Sequence, residues 1–177
     1  MTTATSFNPF TDRLSRDLRN DLSEAFAKAV ESGDPTELEQ TLAAYRKRQL
    51  TGFYQTYFAE RQRRYRQALE TIGREVTDPL ARGVVLWNLE LFFEVHEVLE
   101  HAWYGAEGEM KATLQALIRA AGVYIKRESG LFAAADKIAA KAIPVLERNS
   151  TLLARFFSVS PLIAALADRQ APPPKLG

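Results

Sequence analysis

The sequence has no cysteine among its 177 residues, which removes disulfides, thiolate catalysis and every cysteine-containing zinc motif. A dominant charge is missing as well. Lys and Arg number 23 against 22 Asp and Glu, a net charge of +1, so overall charge points to no polyanion or membrane partner. No apolar run reaches the roughly 18 residues of a membrane span, and Met1 to Phe10 lacks the basic-then-apolar pattern of a secretory signal. Cytoplasmic location and no membrane partner are therefore expected. Clean strand-like alternation is also lacking, as is any repeat of 20 to 50 residues. What remains is an ordinary globular composition, 46% hydrophobic and 25% charged, which disfavours disorder.

Nearly every segment reads with helical period. The first helix is expected from about Asp12 to Glu31, stopped by Ser32-Gly33. Asp34-Pro35-Thr36-Glu37 reads as a new start, with Asp34 as cap, Pro35 in the first position and Glu37 closing a capping box. Tyr45 to Arg74 is one helix or two, with Thr51-Gly52 as the break. Asp78-Pro79 repeats the cap-then-proline signature and opens a helix expected to run unbroken to Tyr104-Gly105. Another spans Gly108 to Glu128 and stops at Ser129-Gly130. The next covers Leu131 to Arg148, where Pro144 should kink or interrupt it. A short helix starts at Ser160-Pro161, and the Ala171-Pro172-Pro173-Pro174 tail reads as loose. The expectation is an all-α bundle of six or seven helices. Its parts are an N-terminal extension over 1–80 packed on the core, a bundle over 81–170 and a flexible tail over 171–177.

Charge is segregated along the chain. Residues 44–66 hold seven basic side chains and one acid, Glu60, whereas 83–110 hold six glutamates and no Lys or Arg. The two patches can answer each other within the fold or across a dimer. The basic stretch also interleaves Tyr45, Phe53, Tyr54, Tyr57, Phe58 and Tyr65, a composition that stacks bases and neutralises phosphates. Their spacing equally makes a core stripe with the arginines on a solvated face, and the near-zero net charge argues against nucleic acid.

The segment opened by Asp78 is the most informative. On a helical wheel, Val85, Leu89, Phe92, Leu99 and Trp103 lie within roughly 40° of a common direction. Glu90, Glu94, Glu97 and His101 fill the narrow polar sector. Two residues violate this pattern. His96 sits between Phe92 and Leu99 on the apolar stripe, and Glu100 lies one turn on. A carboxylate there costs several kcal/mol unless paired, and i, i+4 spacing lets imidazole and carboxylate meet. On the next helix Met110, Leu114, Leu117, Ile118, Ala121, Tyr124 and Ile125 form a core stripe. Gln115, Arg119, Gly122 and Lys126 form a polar one, where Gly122 would admit a close backbone. In an antiparallel hairpin, Gln115 and Tyr124 would face the His96–Glu100 pair.

The run Phe92-Phe93-Glu94-Val95-His96-Glu97-Val98-Leu99-Glu100, then Trp103, then Leu114-Gln115-Ala116-Leu117-Ile118 and Tyr124, resembles the bacterial and archaeal family called domain of unknown function 309. The resemblance covers roughly residues 83 to 150. It implies a compact helical bundle and a homo-oligomer, and no settled activity. The positions matched by its motif are Glu94, His96, Glu97, Glu100, Trp103 and Gln115. Ala116, Arg119 and Ile125 depart from the family pattern, and the arginine tells against a neutral, amide-lined pocket.

Three functional readings follow. The first is a non-catalytic ligand-binding or interaction module around a buried His96–Glu100 pair, taking a small molecule near Glu94, Trp103, Gln115 and Tyr124. The second is a metal-dependent or acid–base enzyme, hydrolase-like, using His96, Glu97 and Glu100 as catalytic groups together with Gln115, and His96 and Glu100 as ligands to a divalent metal. A carboxylate-bridged di-iron centre needs histidines on two helices, and both histidines here lie on one. Nucleic-acid binding through 45–66 is the third.

Overall fold

The computed structural model of the chain describes residues 6–177. Among them every regular element is an α-helix, and there are nine, not six or seven. The two extra elements are the second half of the segment opened by Asp78 and a one-turn helix after Arg148. The chain divides into two compact units, Met1–Glu75 and Val76–Gly177.

In the first unit, α1 (Arg13–Ser32) begins where the Asp12 carboxylate accepts from the Ser15 N–H at 2.8 Å and its hydroxyl at 2.6 Å. These bonds, with a third from the Tyr54 hydroxyl, hold the Asp12 carboxyl below its usual range, the Ser15 hydroxyl contributing most. The helix ends on Gly33, whose φ of 72° suits glycine. Next come α2 (Thr36–Lys47) and α3 (Gly52–Ile72), so Thr51-Gly52 is indeed a break. Asp34 holds the start of α2 by accepting from Thr36. No capping box closes, because the Asp34 N–H already donates to the Ser32 hydroxyl. Glu37 instead accepts from Lys28 at 2.7 Å. Leu18, Leu22 and Phe26 of α1 are fully buried, and the Phe26 ring stacks on Tyr65 of α3 at 4.2 Å.

The aromatic-basic stretch is largely consumed inside this unit. Tyr45, Phe58 and Tyr65 are core residues. Tyr57 stacks on Phe7 at 3.7 Å with the Arg61 guanidinium 4.8 Å from its centroid. Arg63 and Arg64 both pair with Glu60. A row of free rings between free cations, as base stacking needs, is not what these residues form.

In the second unit, α4 (Pro79–Asn88) opens as its sequence dictates, with the Asp78 carboxylate accepting from Leu80 N–H at 2.8 Å and Pro79 in the first turn. It stops at Asn88. After a three-residue link the chain resumes as α5 (Phe92–Gly105), then α6 (Gly108–Glu128), α7 (Phe132–Arg148), α8 (Ser150–Leu153) and α9 (Val159–Ala167). Helix α6 is central and packs on both α5 and α7. Buried alanines on the two long partners (Ala116, Ala120 and Ala121 on α6; Ala135, Ala139 and Ala142 on α7) allow a short interaxial distance. Met110 is exposed, and Ile118 and Ile125 are only half-buried, so the expected α6 stripe is narrower than seven residues. Gly122 meets only the Ile138 side chain at ordinary contact distance, and no backbone comes close there.

Helix α7 runs through Pro144 without interruption. Both Pro144 and Ala140, whose carbonyl loses its i+4 donor, are exposed, so water can satisfy the orphaned oxygen. The last residues are not loose. Leu176 is 5% exposed, and Pro174, Lys175 and Leu176 are hydrogen-bonded to α4.

Candidate functional site

The expected continuous helix from Asp78 to Gly105 is broken by a left-handed residue. Glu90 has φ of 55°. Its N–H donates to the Trp87 carbonyl at 2.8 Å, and the Leu91 N–H reaches back to the Leu86 carbonyl at 3.0 Å. This double closure is the Schellman pattern, usually built on glycine. Leu86 and Leu91, both fully buried, supply the apolar contact that accompanies it.

Beyond the break, the side of α5 that meets the core is centred on Val95 and Val98 and not on the Phe92–Leu99–Trp103 stripe. On α5 the buried side chains are Phe92, Glu94, Val95, Val98 and Leu99. The core direction therefore lies about 100° around the axis from His96, at 100° per residue. His96 and Glu97 keep 33% and 24% of their side-chain surface exposed, and Glu100 is also half-buried. The expectation of a sealed His96–Glu100 pair in the core is thus corrected. Glu94, expected on the polar edge, is fully buried. It lies in the first turn of α5, where the positive end of the helix dipole favours a carboxylate.

The structure does bring three predicted residues together. His96, Glu97 and Glu100 each offer a ligand atom, and these atoms lie within 4.8 Å of one another. His96 Nδ1 lies 3.4 Å from a Glu97 carboxylate oxygen. That nitrogen is shielded from solvent and makes no hydrogen bond. The Phe93 ring lies nearly parallel to the imidazole, centroids 6.0 Å apart. Spacing i, i+1 and i+4 spreads the three side chains over about 100° of one helix, so all of them approach an ion from the protein side and leave its outer side open.

Trp103 lies two turns beyond His96 on the same side of α5. Its indole N–H is shielded and makes no hydrogen bond, and the Lys111 ammonium lies 4.4 Å from its ring centroid. Gln115 follows Lys111 by one turn of α6 and is half-buried. Tyr124 is elsewhere. Its ring stacks on Phe92 at 5.2 Å and meets Trp87 edge-on at 5.5 Å, and burial raises its hydroxyl pKa. The hairpin expectation therefore fails for Tyr124, whose partners are the core aromatics and the C-terminal segment.

The geometry and the sequence pattern converge on one stretch. Residues 80–138 match the family model of a domain of unknown function (DUF309). The match spans α4, α5, α6 and the start of α7, and the resemblance read from the HEVLE stretch holds. No curated protein and no solved structure matches the chain. The DUF309 match thus contains the whole His96–Glu97–Glu100 cluster, and it brings no characterised activity. No helix among the described residues is long and apolar enough to cross a membrane.

Proposed function

We propose that this chain is a ligand-binding helical protein and that its ligand is a divalent cation held on α5 by His96, Glu97 and Glu100. The observation that carries this reading is the convergence of one imidazole and two carboxylates to within 4.8 Å. With metal–ligand bonds of about 2.1 Å, neighbouring donor atoms sit about 3–3.5 Å apart. Small rotations of the two glutamates, both on half-exposed positions, close that difference. One nitrogen and two oxygens suit zinc, manganese or iron better than calcium, which prefers an all-oxygen shell.

Three ligands from one helix leave coordination positions open, as in sites that exchange water or bind a further anion. The fully buried Glu94 is a structural acid in this reading, outside the ligand set. The test is the zinc, manganese and iron content of untagged protein, with titration calorimetry of Zn²⁺ and Mn²⁺. One equivalent of metal in the wild type, lost in His96→Ala and in Glu100→Gln, is expected. Metal-free protein that takes up neither ion overturns the reading.

A further inference from the structure

The C-terminal segment is seated in a way that identifies a second surface. Prolines at 172, 173 and 174 fix their own φ, and each restricts the residue before it to extended conformations. The stretch Ala171–Pro174 is therefore an extended, polyproline-type strand before it meets anything. Such a strand has no N–H to offer at three consecutive positions, so a partner can read it only by donating to its carbonyls. Two aromatic side chains do so. The Trp87 indole N–H donates to the Pro174 carbonyl at 2.8 Å, and the Tyr124 hydroxyl to the Pro172 carbonyl at 3.4 Å. With Phe92 these two rings form one aromatic cluster, all centroids within 5.5 Å.

Where the prolines end, recognition changes in kind. The Asn88 side-chain amide pairs with both main-chain groups of Leu176, donating to its carbonyl at 2.7 Å and accepting from its N–H at 2.8 Å. The Lys175 ammonium donates to the Asn88 carbonyl at 2.5 Å. That carbonyl is one of the unpaired oxygens at the C-terminus of α4, where a cation is favoured. Leu176 is the only buried residue of 172–177; Pro172, Lys175 and Gly177 are exposed. Apart from the Lys175 ammonium, this contact is backbone reading plus one apolar anchor, the mode by which aromatic grooves bind proline-rich peptides.

We propose that the groove formed by Trp87, Asn88 and Tyr124 is a docking surface for an extended proline-rich segment of a partner protein, with this chain's own residues 172–177 as its resident, displaceable occupant. The commitment to that chemistry rests on the seated segment itself. The groove supplies carbonyl-directed donors where N–H groups are missing, and a paired amide where they return. Five hydrogen bonds and the buried Leu176 hold the occupant, which has no helical hydrogen-bond ladder of its own, so it can open locally without unfolding the helices.

The test uses the full-length chain and the labelled peptide acetyl-APPPKLG-amide, followed by fluorescence anisotropy. A full-length variant carrying Pro172→Gly, Pro173→Gly, Pro174→Gly and Leu176→Asp unseats the resident segment. It should bind the peptide at least tenfold more tightly than the wild type, whose tethered copy competes at a millimolar effective concentration. Adding Asn88→Ala should abolish that gain. Absence of binding to a variant with wild-type circular dichroism overturns the proposal, as does tight binding that ignores Asn88→Ala. Should the unseated variant unfold, hydrogen exchange at the Leu176 amide of the wild type decides. Millimolar unlabelled peptide should accelerate it, and unchanged exchange counts against the groove. A dimer formed by exchange of the segment between two copies would place the same chemistry in the same groove and supports it.

Discussion

The Leu91 N–H reaches over Glu90 to the carbonyl of Leu86, 3.0 Å away, and this one bond separates α4 from α5. It requires Glu90 to hold φ of 55°, a conformation that costs an L-residue about 1 kcal/mol. Glu90→Gly relieves that cost, although glycine gives back part of it through a more flexible unfolded chain. We expect Glu90→Gly to be neutral or to stabilise by up to about 1 kcal/mol in chemical denaturation. A loss comparable to that of an interior helical Gly would mean that the two helices run continuously.

Glu94 and His96 should separate cleanly by experiment. Glu94 is fully buried, so Glu94→Ala empties a packed position in the core and should cost roughly 1–3 kcal/mol. His96 is half-exposed, and with both proteins stripped of metal by chelator His96→Ala should stay within about 0.5 kcal/mol, as at ordinary surface positions. In metal content the order reverses, with His96→Ala losing the ion and a folded Glu94→Gln keeping it. Urea unfolding together with metal analysis reads both.

The α6–α7 interface leaves little room for larger side chains. Ala120 and Ala139 are both buried. Ala120→Leu forces extra methylenes between packed elements and should cost about 1–3 kcal/mol, seen as a lowered Tm. An unchanged Tm would show that the interface yields.

Tyr45 makes the first unit sensitive to alkali. Its hydroxyl donates to Asp21 at 2.6 Å, and burial, followed by that carboxylate, pushes its pKa well above the ordinary value near 10. The folded state keeps the proton where the unfolded chain has released it. The stabilisation is therefore complete below about pH 10 and declines as pH rises beyond it. Tyr45→Phe should lose about 1 kcal/mol at neutral pH and flatten the decline above pH 10. An unaltered alkaline slope would assign the effect to another group.

Much of the fold was legible because its punctuation is chemical. Asp12, Asp78, Gly33 and Gly130 each announce a boundary through a cap or a left-handed turn, and α6 falls on Gly108–Glu128 as expected. The α4–α5 boundary was hidden because a glutamate occupies the position glycine normally marks. The depth of the site was misread for a separate reason. Phe92, Leu99 and Trp103 set the expected stripe around His96, whereas the buried face of α5 runs through Val95 and Val98 and takes in Glu94, leaving His96 half-buried. Residue types and spacing were enough to assemble His96, Glu97 and Glu100, since neighbours at i, i+1 and i+4 stay close whatever the phase. Depth depends on which apolar arc of α5 meets its neighbours, and that is set by tertiary packing. The seating of 172–177 carried no local signal, because its partners lie more than 45 residues away.

The contact between Trp87 and Pro174 spans 87 positions, which gives it a place in time. At about 5–20 residues per second, Pro174 is synthesised roughly 4–17 s after Trp87, long after α4 and α5 have the residues to form. Through that interval the indole and the Asn88 amide have no intramolecular strand to read. The hydrogen bond from the Trp87 indole to Pro174 is therefore a closing step of folding, made on a core that its other aromatic partners can already have assembled.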